Sequence, residues 1–188
     1  TEASSLFDLV VSASSIYGGS WKEGAGAVYA ENQVLEFLAR ECGLHEGAGG
    51  VFVQGGTLGN LSALVTAREQ AKLKLGSKKW ALIASAESHS SLKAVAKVMD
   101  VAIFTGVCEE GRFGSKGAES AIEKARSEGY EPFALVGTAG TTNFGIVDRL
   151  DELASIAKRE KLWFHVDGAY GLAGILSPLV RHLYKGVE

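Results

Sequence analysis

Cysteine is scarce in this 188-residue chain: Cys42 and Cys108 are its only two, far apart and at no redox or metal spacing. That excludes a disulfide framework and a cysteine zinc site, and makes a reducing cytoplasm the expected compartment. The four histidines, His45, His89, His165 and His182, form no HxxxH pair, so no metal is expected. No apolar stretch reaches the ~20 residues of a membrane-spanning helix. Basic residues are not in excess: Lys and Arg total 19 against 22 Asp and Glu, for a net charge of −3. Neither nucleic acid nor an anionic membrane is therefore an expected partner. P-loop and GxGxxG motifs are missing, which removes the common nucleotide folds. Internal repeats, low-complexity tracts and interdomain linkers are also lacking. The first residue is Thr1 and no signal-peptide pattern follows it, so both ends read as cuts through a longer protein.

What is present is a globular composition, 46% hydrophobic and 22% charged, of a length suited to one ordinary domain. Residues 1–27 are rich in Gly, Ser and Ala and read as an arm or loop with short helical pieces. A helical apolar spacing over residues 27–42 follows, with Gly43 as its stop. A β-rich run, a Gly/Ser/Thr turn and a helix then recur. Strands are expected at residues 51–53, 80–84, 101–104, 133–136 and 162–166. Helices are expected at 58–75, 92–99, 118–127 and 150–160, with Pro178 opening a last one. Alternating strands and helices specify an α/β fold, a mainly parallel sheet with helices on both faces.

In such sheets ligands gather outside the carboxyl ends of the strands, and the polar residues stand there. The apolar run 162–166 stops at Asp167, followed by Gly168 and Ala169. That places a carboxylate beside nearly bare backbone, where it can meet the charge of a flat ligand or simply cap the next helix. Gly55-Gly56-Thr57-Leu58-Gly59-Asn60 joins a strand to a helix; it suits a phosphate on free helix N–H groups, or a plain capped turn. His89, flanked by serines at a helix start, suits a neutral stacking ring or an exposed histidine of the cap. Gly140-Thr141-Thr142 offers hydroxyls, or only turn chemistry. Together they suit a flat phosphorylated heterocycle with a protonatable ring nitrogen, and pyridoxal phosphate is that molecule.

The motifs Gly55-Gly56-Thr57-x-x-Asn60, Glu87-Ser88-His89-Ser90-Ser91, Gly140-Thr141-Thr142…Asp148 and His165-Val166-Asp167-x-Ala169-Tyr170 occur in one order and spacing. In this they resemble the group II pyridoxal-phosphate-dependent amino-acid decarboxylases, which act on aromatic amino acids, histidine, glutamate, cysteine sulfinate or diaminobutyrate. The resemblance runs from about Ser20 to the end. It implies the fold-type-I aminotransferase architecture, a three-layer sandwich, with residues 28–188 as an incomplete large cofactor-binding domain, and a homodimer acting on an amino acid.

The resemblance also implies residue roles. Asp167 would pair with the ring nitrogen, while Ala169 and His89 would lie on opposite ring faces. Gly56, Thr57 and the Leu58 amide would hold the phosphate, and Thr142 would lie beside Asp167. Loss of CO₂ leaves an electron pair at Cα, and the ring withdraws it best with its nitrogen protonated. A carboxylate about 4 Å from that nitrogen in partly screened surroundings is worth about 4 kcal/mol, or about three pKa units.

Leu58 departs from the small polar residue often found at its position, and residues 24–29 do not match the substrate loop of aromatic-amino-acid decarboxylases. The family's Schiff-base lysine follows a histidine in an Asp-x-His-Lys motif, and no lysine of this chain stands in one. The expectation is a piece of a decarboxylase, inactive alone. The alternatives are another fold-type-I enzyme of the same cofactor (aminotransferase, desulfurase or lyase) and a non-catalytic α/β scaffold.

Overall fold

The computed structural model describes residues 1–188, which form two compact units, Thr1–Phe52 and Val53–Glu188. Over residues 1–27 the first unit has long helices where an arm or loop with short helical pieces is expected. Helix α1, Glu2–Ser14, is capped by the Thr1 side chain, which accepts from the Ser4 N–H at 3.2 Å. Helix α2, Trp21–Glu41, starts at Ser20, whose hydroxyl accepts from the Glu23 N–H and donates to the Glu23 carboxylate. This capping box, Ser20-Trp21-Lys22-Glu23, starts the helix before residue 27, and its glycines are carried inside it. At Gly24 α2 kinks, at φ −130° and ψ 39°, and the Tyr17 carbonyl packs into the space a side chain there would fill. Gly43, at φ 71°, ends α2 as expected.

Residues 51–53 form no strand. No neighbouring strand is there to pair with them, and the Phe52 N–H donates to the Glu31 carboxylate at 2.8 Å. A strand is stable only through its ladder, whatever its propensity.

The second unit carries the sheet. Its elements are α3 (Gly56–Leu75), β1 (Trp80–Ser85), α4 (Ser91–Met99), β2 (Ala102–Gly106), α5 (Ser115–Ser127), β3 (Glu131–Thr138), α6 (Leu150–Glu160) and β4 (Trp163–Asp167). The four strands are all parallel, in the order β2-β1-β3-β4. Alternation along β1 sends Ala81 and Ile83 into a core with α5 and α6, and Trp80, Leu82 and Ala84 into a core with α3 and α4. The result is the expected three-layer α/β sandwich, with β1 buried on both faces. Pro178 does not open a helix; it lies in the turn between two short 3-10 helices, Leu172–Leu176 and Arg181–Tyr184.

Strands β1 and β3 are neighbours, yet β1 continues into α4 on one face and β3 into α6 on the other. Adjacent strands whose chains leave to opposite faces open a crevice at their carboxyl ends. The β3 end is held by Asp148, 2% exposed, whose carboxylate accepts the N–H groups of Thr138 at 2.7 Å and Phe113 at 2.9 Å.

Burial pushes the Asp148 carboxyl up from 3.8 to about 6, against the opposing pull of those two N–H groups. A raised folded-state pKa favours the protonated fold, so this stabilisation is full below about pH 4 and is lost as pH rises through about 6. The shift corresponds to about 3 kcal/mol. Asp148→Asn does not titrate, so the stability gap between wild type and variant should narrow by about that amount from pH 4 to 7. Denaturant melts across that range check it; a pH-independent gap contradicts the assignment.

Candidate functional site

The crevice holds a cavity of about 240 Å³, lined by residues from four places in the sequence. The first wall is the start of α3. Gly55 occupies the N-cap position at φ 97°, a conformation open to glycine and closed to side chains, and offers no capping group. The amides of Gly56 and Thr57 consequently have no acceptor in the protein, at the positive end of a 20-residue helix. A Cβ on Gly56 would lie 3.2 Å from the Ala169 Cβ, so the turn and the segment after β4 meet across a gap that only glycine keeps clear. Leu58 does not line the cavity, and its N–H donates to the Gly55 carbonyl at 3.1 Å, since the helix closes its first turn there.

The second wall follows β1. The Ser85 hydroxyl accepts from the Glu87 N–H, and Ser88 donates to the Ser85 carbonyl, a tight turn that delivers His89 to the cavity rim. The third wall follows β3. Of the two threonines there, Thr141 is buried and closes its own loop by accepting the Ile146 N–H, while Thr142 faces the cavity. Thr138 lines the cavity too.

The fourth wall is the end of β4. Thr138 and Asp167 are register partners in adjacent strands. One Asp167 oxygen, Oδ2, accepts from Asn60 Nδ2 at 3.0 Å, and Oδ1 has no protein partner. No lysine or arginine pairs with Asp167; the ion pairs of the chain lie elsewhere. Burial holds the neighbouring His165 below the usual histidine range, opposed in part by the Asp167 charge, so its ring is neutral.

The structure thus brings Gly56, Thr57, His89, Thr142, Asp167 and Ala169 to one cavity and leaves Leu58 outside it. No lysine lines it, and no group of residues in the chain has metal-ligand geometry. Asn60, 5% exposed, is the residue whose role the sequence reading leaves unassigned. The available signal is periodicity: Asn60, Leu64 and Ala67 share the buried face of α3, and an amide on an otherwise apolar helix face needs partners.

This donor set fits pyridoxal phosphate. Two unpaired helix amides and the Thr57 hydroxyl suit a phosphate, a carboxylate without a cation suits a protonated ring nitrogen, and exposed Thr142 supplies a further polar contact.

Comparison with known proteins agrees. The family model described as the pyridoxal-dependent decarboxylase conserved domain matches residues 8–188. The chain is 34% identical over 186 residues to the aromatic-L-amino-acid decarboxylase of Bacillus atrophaeus, covering 96% of this chain and 38% of that protein. It is 31% identical to the L-2,4-diaminobutyrate decarboxylase of Rhizobium meliloti, covering 96% of this chain and 37% of that one. Among solved structures, the glutamate decarboxylase domain of a diaminobutyrate-pyruvate transaminase and L-2,4-diaminobutyrate decarboxylase from Vibrio parahaemolyticus superposes with a TM-score of 0.89 at 34% identity, over 96% of this chain and 42% of that one. The chain therefore spans about two fifths of the length of the curated relatives it matches. By its sequence, its fold and the residues of its cavity, the chain belongs to the pyridoxal-dependent decarboxylase family.

Proposed function

We propose that the chain forms the cofactor-binding floor of an enzyme that releases CO₂ from an L-amino acid, leaving the amine. The observation that carries this reading is Asp167, an acceptor-only carboxylate without a cation, in the same cavity as a helix start with two unpaired amides. Pyridoxal phosphate, when bound, supplies the sink for the electron pair left at Cα as CO₂ departs.

The chain's own residues do the holding. The Gly56 and Thr57 amides and the Thr57 hydroxyl bind the phosphate, with the α3 dipole behind them. Asp167 keeps a proton on the ring nitrogen by charge. His89 and Ala169 flank the ring, and Thr142 offers a hydroxyl beyond the β3 end. The substrate is an amino acid, as for the aromatic-L-amino-acid and L-2,4-diaminobutyrate decarboxylases among the relatives.

The protein acts, on this reading, as a homodimer in the cytoplasm. Supporting the dimer, α1 has no buried residue, and its Leu6, Phe7, Leu9, Val10 and Val11 are all at least 60% exposed in a single copy. Supporting the compartment, Cys42 and Cys108 form no disulfide.

In the full-length protein, Asp167→Asn keeps a hydrogen-bonding oxygen and removes the charge, so turnover should fall on the order of a thousandfold, the equivalent of about three pKa units. CO₂ release from a panel of amino acids measures it, and near-wild-type turnover would refute the role. Gly56→Val puts methyl groups into the gap against Ala169. Its affinity for pyridoxal phosphate should fall at least about tenfold, ~1.4 kcal/mol, while affinity for unphosphorylated pyridoxal changes less. Equal losses for both ligands would place the phosphate elsewhere.

A further inference from the structure

We infer that Asn60 is the positioning residue of this site, and that it joins Asp167 to His89 in a hydrogen-bond chain whose direction is fixed. The inference rests on the functional reading above and deepens it. The chain runs through five side chains. Asn60 Nδ2 lies 3.0 Å from Asp167 Oδ2 and 3.1 Å from Ser91 Oγ, and Asn60 Oδ1 lies 2.8 Å from His165 Nε2. Ser91 Oγ lies 2.8 Å from His89 Nδ1. Asn60 and Ser91 are buried, at 5% and 4% exposure, so water does not substitute for these partners.

Direction follows from what each atom can do. A carboxylate only accepts, so the Asn60 amide nitrogen must face Asp167, which sets the orientation of the whole amide. Its second N–H then donates to Ser91 Oγ, and its oxygen must accept from His165, whose proton is therefore on Nε2. Ser91, having accepted, turns its own proton to His89 Nδ1. An independent donor agrees: the Ser91 backbone N–H points at the same Nδ1 at 3.2 Å, and a backbone N–H cannot accept. His89 Nδ1 is thus an acceptor twice over. The ring is the tautomer with its hydrogen on Nε2, the nitrogen outside this chain.

The arrangement gives each ligand-facing group one orientation. Asp167 presents Oδ1 to the cavity because Oδ2 is held. His89 presents an N–H donor at the cavity rim, where a free histidine would populate both tautomers and both ring flips. Four segments of the chain contribute: α3 through Asn60, the start of α4 through Ser91, the turn before it through His89, and β4 through His165 and Asp167.

The test uses the full-length protein with labelled histidine, read by imidazole nitrogen NMR without added ligand and after loading with pyridoxal phosphate. In wild type, His89 and His165 should both show protonated Nε2 and bare Nδ1; a His89 protonated on Nδ1 overturns the inference without any variant. Asn60→Leu keeps the volume and deletes every bond, so His165 should lose its single tautomer, and kcat should fall at least about tenfold with little change in KM. Asn60→Asp keeps the shape but sets a second acceptor-only group against Asp167. The two carboxylates should share a proton, and pyridoxal phosphate affinity should fall at least about tenfold. Wild-type shifts, affinity and kcat in both variants would overturn the role of Asn60. A wild type that binds no pyridoxal phosphate would instead defeat the functional reading, and the histidine shifts of the unloaded protein still decide the chain of bonds.

Discussion

The site depends on one constraint: a carboxylate must stand at the end of a parallel strand, half out of water, with no cation of its own. In most folds such a group is paired with arginine or lysine, or is turned to solvent. Here Asp167 is given a neutral partner, Asn60, on one oxygen, and the other is left to the cavity. A neutral donor steadies the carboxylate without consuming its charge. That distinction separates a structural acid from one kept for a ligand, and the surrounding residues are consistent with it: a neutral His165 and a helix start bare of capping side chains.

The fold brings these groups together through topology. Three of the parallel strands, β1, β3 and β4, end at the cavity beside the start of α3, so groups far apart in the chain, Gly56, His89, Thr142 and Asp167, meet there. The crevice opens where β1 and β3 send their helices to opposite faces, and glycines then bring the walls close. Gly55 takes a positive φ to start α3 without a cap, and Gly56 leaves room for Ala169. Asp148, buried at the end of β3, does for that loop what Asn60 does for Asp167. It holds backbone N–H groups in place so that the threonines beyond them stay where the strand puts them.

Much of this was legible in the sequence, for physical reasons that differ by element. Strands β1 to β4 are short β-rich runs, and each of them, like helices α3 to α6, begins and ends within three residues of where the sequence places it. The strand-end residues could be gathered because a parallel sheet puts all its carboxyl ends on one side. Over residues 1–27 only short helical pieces were legible, because their glycines and serines suggested a loop; the Ser20–Glu23 capping box carried the contrary signal. Val51 to Val53 have strand propensity and no strand to pair with. Leu58 illustrates a finer failure: its place in a phosphate-type turn says nothing of whether its N–H is free, and a local bond to Gly55 occupies it. Asn60 was visible as a letter of a motif. Its partners lie 31 and more than 100 positions away, a distance no local pattern encodes.

Binding of pyridoxamine phosphate, which needs no lysine, isolates the central claim. The protonation of its ring nitrogen in the complex can be followed by nitrogen NMR as pH rises. If the Asp167 charge faces that nitrogen, it stays protonated to a pH about three units above its value in free solution, and Asp167→Asn abolishes the difference. A ring nitrogen that titrates in the complex as it does in water would contradict the account.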